Sequence, residues 1–345
     1  MPEFVPLSSR LKKLFTDTKL VCFGRYAISV PREARIISGS YGFPSYVTSF
    51  PGNYDAMMNE VTKDIQKIKF SDQDAIITYN KSGPIDFSWQ IRYFDSEAAK
   101  DLRLLCFKTY INIENISFNI GNAVNPSQSE VKTAEIEFHR AKSLRLRSDD
   151  DVPHDDGYCI ENAFMASSFY GDQETVSAGI FLPSLPDVIF SISSNKDAYS
   201  DYSKIEFEKM KGTELSLLGR IRMAQEQQGT SYPNRIVLRE GKRDVQHWKG
   251  EESLIKRQNG VHDFEWGFVG TPKDVANPSE FIVGMFTKVE HNVVGSAKES
   301  SLSDDEAIAL WDKLLAGLKF RVKVPGAPEG SYFLPQSKPN KPDTK

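Results

Sequence analysis

Ser148-Asp149-Asp150-Asp151-Val152-Pro153-His154-Asp155-Asp156-Gly157 divides the chain near its middle. Five aspartates with a proline and a glycine form neither a helix interior nor a central strand, because proline lacks an amide donor and both residues punctuate structure. The segment reads as an exposed acidic linker, 149–157, between an N-terminal domain over 21–148 and a C-terminal domain over 158–324. Calcium is another use for so many carboxylates. An EF-hand loop, however, needs ligands at alternate positions, a mid-loop glycine and a closing glutamate, and that spacing is absent. At 345 residues, two domains is also what length implies. An extension over 1–20 precedes them. The tail over 325–345 carries Pro325, Pro328, Pro335, Pro339 and Pro342 and reads as flexible and polyproline-like.

Upstream of the linker, Val21–Val30 reads as a strand that Pro31 stops, and Tyr46–Phe50 as another. Tyr54–Lys69 reads as a helix, because Met57, Val61, Ile65 and Ile68 fall on one face. Strands are expected at 75–79, 87–94, 102–110 and 116–120. A helix over 128–143 then places Val131, Ala134, Phe138 and Ala141 on an apolar stripe. Downstream, strands are expected at 158–166, 175–182, 188–193, 235–239, 251–257, 264–269 and 281–289, with a helical stretch over 204–225 interrupted by Gly212 and Gly219. The clearest local signal is last. Ser303 and Glu306 form a capping box, in which hydroxyl and carboxylate satisfy each other's backbone amides. Ala307, Leu310, Trp311, Leu314 and Leu318 then form one stripe, which must pack on a sheet. The fold class is α+β: two similar domains, each a mostly antiparallel sheet with helices packed on one face.

Chemistry is harder to find. With 43 basic and 47 acidic residues interspersed and a net charge of −4, no basic block offers itself to a nucleic-acid backbone. No run approaches the ~18 apolar residues of a membrane helix. Met1–Leu20 carries Arg10, Lys12, Lys13, Asp17 and Lys19 without an apolar core, unlike a secretory leader. Cys22, Cys106 and Cys159 read as buried small hydrophobes; outside the cytoplasm, one bridge with one free thiol is the alternative. Gly39-Ser40-Tyr41-Gly42 has the wrong spacing for a nucleophile elbow, and no phosphate-binding glycine loop occurs. The histidines His139, His154, His247, His262 and His291 are too scattered for a local metal site. His262 and Asp263 are strand neighbours pointing to opposite faces, so they form no acid–base pair. No catalytic, metal or cofactor site is therefore assigned. Two aromatic groups suit a protein interface instead: Tyr41, Phe43, Tyr46, Phe50 and Tyr54 in a Gly/Pro-punctuated stretch, with Tyr41, Phe43 and Tyr46 as its anchors, and Tyr199 and Tyr202 in an Asp/Ser-rich loop; half-buried strand positions are the alternative for the first group.

Cys22-Phe23-Gly24-Arg25-Tyr26-Ala27-Ile28-Ser29-Val30-Pro31 resembles the opening strand of the immunity proteins that accompany type VI secretion phospholipase toxins. Gly157-Tyr158-Cys159-Ile160-Glu161-Asn162 is similar to the strand opening that family's second domain. Leu182-Pro183 to Phe190, Gly250-Glu251-Glu252, His262-Asp263-Phe264-Glu265-Trp266 and Leu302–Trp311 resemble its later segments. The resemblance implies a two-domain periplasmic inhibitor that binds a cognate lipase toxin one to one, occludes its active site, and has no catalytic activity. The alternative is a periplasmic lipid- or ligand-binding module.

Overall fold

The computed structural model describes residues 5–42, 46–71, 74–123, 129–171, 173–287 and 300–335. Helix α1 (Ser9–Leu14) leads into strands β1 (Thr18–Phe23), β2 (Tyr26–Pro31), β3 (Arg35–Gly42) and β4 (Tyr46–Pro51). Helix α2 (Tyr54–Ser71) is followed by β5 (Ile76–Ser82), β6 (Ser88–Phe94), α3 (Glu97–Asp101), β7 (Cys106–Ile113), β8 (Ile116–Ala123) and α4 (Glu130–Ser143). Then come β9 (Leu144–Leu146), β10 (Gly157–Ile160), β11 (Ala163–Ala166), β12 (Thr175–Phe181), β13 (Val188–Asn195), α5 (Lys204–Lys211) and α6 (Leu217–Gln228). The last elements are β14 (Arg235–Val245), β15 (Trp248–Arg257), β16 (His262–Phe268), β17 (Glu280–Thr287), α7 (Asp304–Ala316), β18 (Leu318–Val322) and β19 (Tyr332–Leu334). Pairing is antiparallel throughout the described ladders except between β18 and β19, which makes the fold α+β.

The chain forms two compact units. One comprises Met1–Gly39, Asp149–Asp155 and Gln173–Lys345; the other comprises Ser40–Ser148 and Asp156–Asp172. This division does not coincide with a single cut at the acidic segment, because the N-terminal β2 pairs with the C-terminal β18.

In the first unit the strands run β14-β15-β16-β17-β13-β12. The period-2 pattern puts Phe190, Leu254, Phe264, Trp266, Val283 and Met285 on one buried face. Helix α7 covers it. Its capping box forms as expected, and Ala307, Leu310, Trp311, Leu314 and Leu318 are fully buried. The Trp311 ring lies 5.9 Å from Phe190 and 6.1 Å from Phe264. The helix ends at Ala316 on a Gly317 cap, however, and Leu318 already begins β18. A small sheet, β1-β2-β18-β19, closes the same core through Tyr26, whose ring stands 5.0 Å from Phe281 and 5.1 Å from Phe320. Helix α6 lies on the opposite face, where the Leu218 amide donates to Glu251 at 2.9 Å and Arg220 pairs with Glu265 at 3.1 Å. Both faces thus carry helices.

Several expectations are corrected here. Val21–Val30 is a hairpin, not one strand. Gly24 turns the chain at φ 51°, and a Cβ there would sit 3.1 Å from Val176, so only glycine fits. The Tyr158–Ala166 strand is likewise a hairpin, turning at Asn162 with φ 60°. The stretch 204–225 is two helices, capped separately by Ser203 and Ser216. Within the acidic segment Pro153 is buried and its carbonyl accepts a hydrogen bond from the buried Arg321 guanidinium, while Asp150 pairs with Lys19 at 3.2 Å. The tail is docked as far as Leu334, which belongs to β19; Pro339 and Pro342 lie outside the described residues. Cys22 is buried, but as half of a disulfide rather than as a free hydrophobe.

In the second unit the order is β4-β8-β7-β6-β5, with a separate β10-β11-β9 sheet. Helix α2 buries Met57, Val61 and Ile68 against Ile91, Tyr93 and Tyr110 on one face, with Ile65 partly buried, as the stripe predicted. Helix α4 lies on the other face, reaching Thr109 and Phe107, the strand neighbours of Tyr110 and Lys108. Its expected stripe is only half buried: Ala134 and Ala141 pack inward, Val131 and Phe138 do not. Thr133, Glu137 and Ala141 face inward, whereas Val131 is 70% and Phe138 39% exposed. Buried polar groups on the sheet explain this: the Gln90 amide donates to the Thr109 hydroxyl at 3.0 Å, Thr109 donates to Glu137 at 3.2 Å, and Arg140 pairs with Glu137 at 2.8 Å. A polar helix face satisfies those groups where an apolar one would strand them. Cys159 is buried and disulfide-bonded, and Cys106 is a free thiol.

Candidate partner-binding surface

Of the four aromatic anchor candidates among the described residues, Tyr46 is the most exposed, at 72%. It opens β4, and its cross-strand neighbours are Gly42 on one side and Gly121 on the other. Opposed side chains normally cover one another in a sheet. Here both neighbours are bare backbone, so the tyrosine ring stands alone on a flat strip. Tyr41, at the end of β3, is buried at 4% exposure and offers no ring to a partner as it stands. Phe43 lies outside the described residues.

Tyr199 and Tyr202 form a second aromatic spot, in the first unit. Tyr199 adopts φ 67° and is half-buried, with its ring 6.2 Å from Tyr202 and 6.1 Å from Phe207. Its hydroxyl donates to Glu280 at 2.9 Å. Burial, reinforced by the Glu280 charge, pushes that hydroxyl up to about 12, so it is a fixed donor rather than an ionising group. Tyr199 is therefore the support, and Tyr202, 45% exposed, is the presented ring. Beside it in sequence Ile205 is 83% exposed, because Phe207 takes the inward position of α5. Ile205 escapes periodicity analysis: two apolar residues at i and i+2 on a helix cannot both face the core, and sequence does not say which one does.

Ser40 lies within strand β3, with no helix following among the described residues to make an elbow. Asp263 faces away from His262 and accepts the Arg257 Nε at 2.9 Å. His262 opens β16 and is 1% exposed. Its Nε2 meets Asp304 Oδ1 at 2.8 Å and its Nδ1 meets Ser300 Oγ at 3.2 Å. The set has the membership of a catalytic triad. Burial would raise the Asp304 carboxyl, but hydrogen bonds from Lys256, at 2.8 Å, and from His262 outweigh it and hold the carboxyl below its ordinary value, shared between the two partners. Ser300 Oγ also donates to the Leu302 carbonyl and accepts its amide, each at 3.2 Å. The group ties the start of α7 to β16. No cluster of three or more His, Cys, Asp or Glu is placed to hold a metal, and no helix is long and apolar enough to cross a membrane, among the described residues.

Two family models meet near the acidic segment. The N-terminal domain of Tle cognate immunity protein 4 matches residues 19–148, and the C-terminal domain matches 151–323. Among solved structures, the apo immunity protein TplEi of the type VI secretion system of Pseudomonas aeruginosa is 21% identical, with a TM-score of 0.68, covering 89% of this chain and 98% of that one. A chain of the Tle4–Tli4 complex is 22% identical, with a TM-score of 0.67, covering 89% and 98%. No curated protein sequence matches. Over most of its length, this chain belongs to the Tle cognate immunity protein 4 family.

Proposed function

We propose that this chain binds a type VI secretion phospholipase effector one to one in the periplasm and silences it by covering the entrance to its active site, with no turnover of its own. The observation that carries this reading is the family match across both halves, together with a fold shared with a chain of the Tle4–Tli4 complex. Tyr46 and Tyr202 with Ile205 supply exposed apolar anchors of the kind that dominate protein interfaces. Two disulfide-bonded cysteines fit an oxidising compartment.

The ligand-binding alternative gains less support. The cavity between α6 and the sheet, about 540 Å³, is lined by Ile221, Tyr232, Pro233 and Ile255, but it also carries four charged residues, Arg235, Arg257, Asp263 and Glu265, where a ligand pocket has only a few placed polar groups. The test is direct: the purified chain and its cognate type VI phospholipase effector, mixed in equal amounts, should co-elute as a one-to-one complex on size exclusion. Separate elution at micromolar concentration would remove the proposal.

A further inference from the structure

Helix α4 turns part of its apolar stripe to solvent: Val131 is 70% and Phe138 39% exposed, while Ala141 is buried and Ala134 packs against Leu105 and Phe107. Inward, Glu137 is fully buried and satisfied by Thr109 and Arg140. Val131 and Phe138 flank Ala134, at helical positions i, i+3 and i+7, along a groove of about 470 Å³. The exposed Leu102 and Leu104 precede Leu105, whose cluster also includes Ala134. Val131 and Phe138 lie outside the unit's buried core, and grouped exposed apolar residues mark interaction sites.

The rim of the groove is acidic. Glu130 is paired with Arg92 at 2.7 Å, but Glu135 has no ion-pair or hydrogen-bond partner among the described residues. An apolar floor with an uncompensated carboxylate at its edge suits an apolar ridge flanked by a lysine or arginine. A second copy of this chain fits poorly. A two-fold pairing that sets Val131 against its copy's Phe138 centres between Ala134 and Glu135, and brings the two Glu135 carboxylates together.

We propose that the outward face of α4 is a docking face for the effector, receiving an apolar surface of it that carries a basic side chain opposite Glu135. This rests on the effector-binding reading above, and it fits a lipase because an enzyme that admits acyl chains must have an apolar rim around its entrance. None of the aromatic candidates that sequence suggested lies on α4.

The test compares the intact chain with V131E/F138E and E135K variants, by calorimetry against the cognate type VI phospholipase effector. The double variant should weaken binding by about 100-fold or more and E135K by about 10-fold, as for central and rim contacts. Circular dichroism and urea midpoints should match the intact chain, since both substitutions leave Thr133, Glu137 and Ala141 in place. Should the double variant misfold, a photo-crosslinker at Val131, itself 70% exposed, should capture the lipase in the full-length chain. Affinities within twofold of the intact chain, or no crosslink, overturn the docking face while leaving effector binding standing. Failure of the intact chain to bind overturns both. A dimer of the free chain that the double variant dissociates would assign the face to a second copy and overturn the proposal.

Discussion

Replacing Trp311 with alanine perturbs the core at its most consequential point. The side chain is fully buried, stands edge-on to Phe264 and close to Phe190, and donates its indole proton to Glu252 at 3.3 Å. A buried tryptophan removes roughly 150–250 Å² from water, and at about 25 cal/mol per Å² this corresponds to about 4–6 kcal/mol. Losing the indole hydrogen bond adds little, because Glu252 keeps Arg239 at 2.7 and 3.2 Å and is not left unpaired. Core truncations of this size measure about 3–5 kcal/mol, so we expect about 4 kcal/mol. Trp311→Phe, which keeps a ring between Phe190 and Phe264, should cost about 1–2 kcal/mol. Urea unfolding followed by far-UV circular dichroism reads both. A loss below about 1 kcal/mol for the alanine variant would mean that α7 does not seal this core, and would refute the packing argument.

Three further outcomes follow from the same structure. Burial opposes ionisation of Asp64, but hydrogen bonds from Tyr110 and from Lys108, at 2.9 Å, outweigh it and hold the carboxyl below its usual value. A depressed folded pKa contributes stability above the unfolded value and loses it as pH falls through the folded one. The acid limb of the stability curve below pH ~4 should therefore flatten in Asp64→Asn, and an unchanged limb would discount the pairing. Thiol titration of the denatured, unreduced chain should find one reactive group, Cys106, and three after reduction; three at the outset would contradict the disulfide state. Finally, the chain should hydrolyse neither esters nor phospholipids. Turnover abolished by Ser300→Ala or His262→Ala would make the buried Ser–His–Asp set catalytic after all.

The legibility of the sequence varied with how many signals coincided. Helix α7 could be read because capping box and apolar stripe agree, though the stripe overruns its end at Gly317, and α2 because its stripe is unbroken. The β1–β2 and β10–β11 hairpins could not, because their two-residue turns, Gly24-Arg25 and Glu161-Asn162, sit inside runs that otherwise read as one strand. Gly24-Arg25 is doubly deceptive: Arg25 looks like a surface charge, yet it is buried and bonded to Glu174 at 3.0 Å. Helix α4 shows the limit of periodicity, which finds a stripe but not which side of it the sheet demands. That depended on Gln90 and Thr109, residues distant in sequence. At the candidate surface, Tyr46 and Tyr202 are presented as expected of anchors, Tyr41 is not, and Ile205, Val131 and Phe138 became visible only once the helices were placed.

The most direct measurement is a titration of the chain into its cognate lipase acting on phospholipid vesicles. Silencing by occlusion requires slow release, hence a nanomolar or tighter Kd, about −12 kcal/mol or better, and a buried interface of at least ~1,600 Å². Hydrolysis should fall linearly with added chain and reach zero at one equivalent. Full lipase turnover at about a tenfold excess, at concentrations far above a nanomolar Kd, would contradict the account.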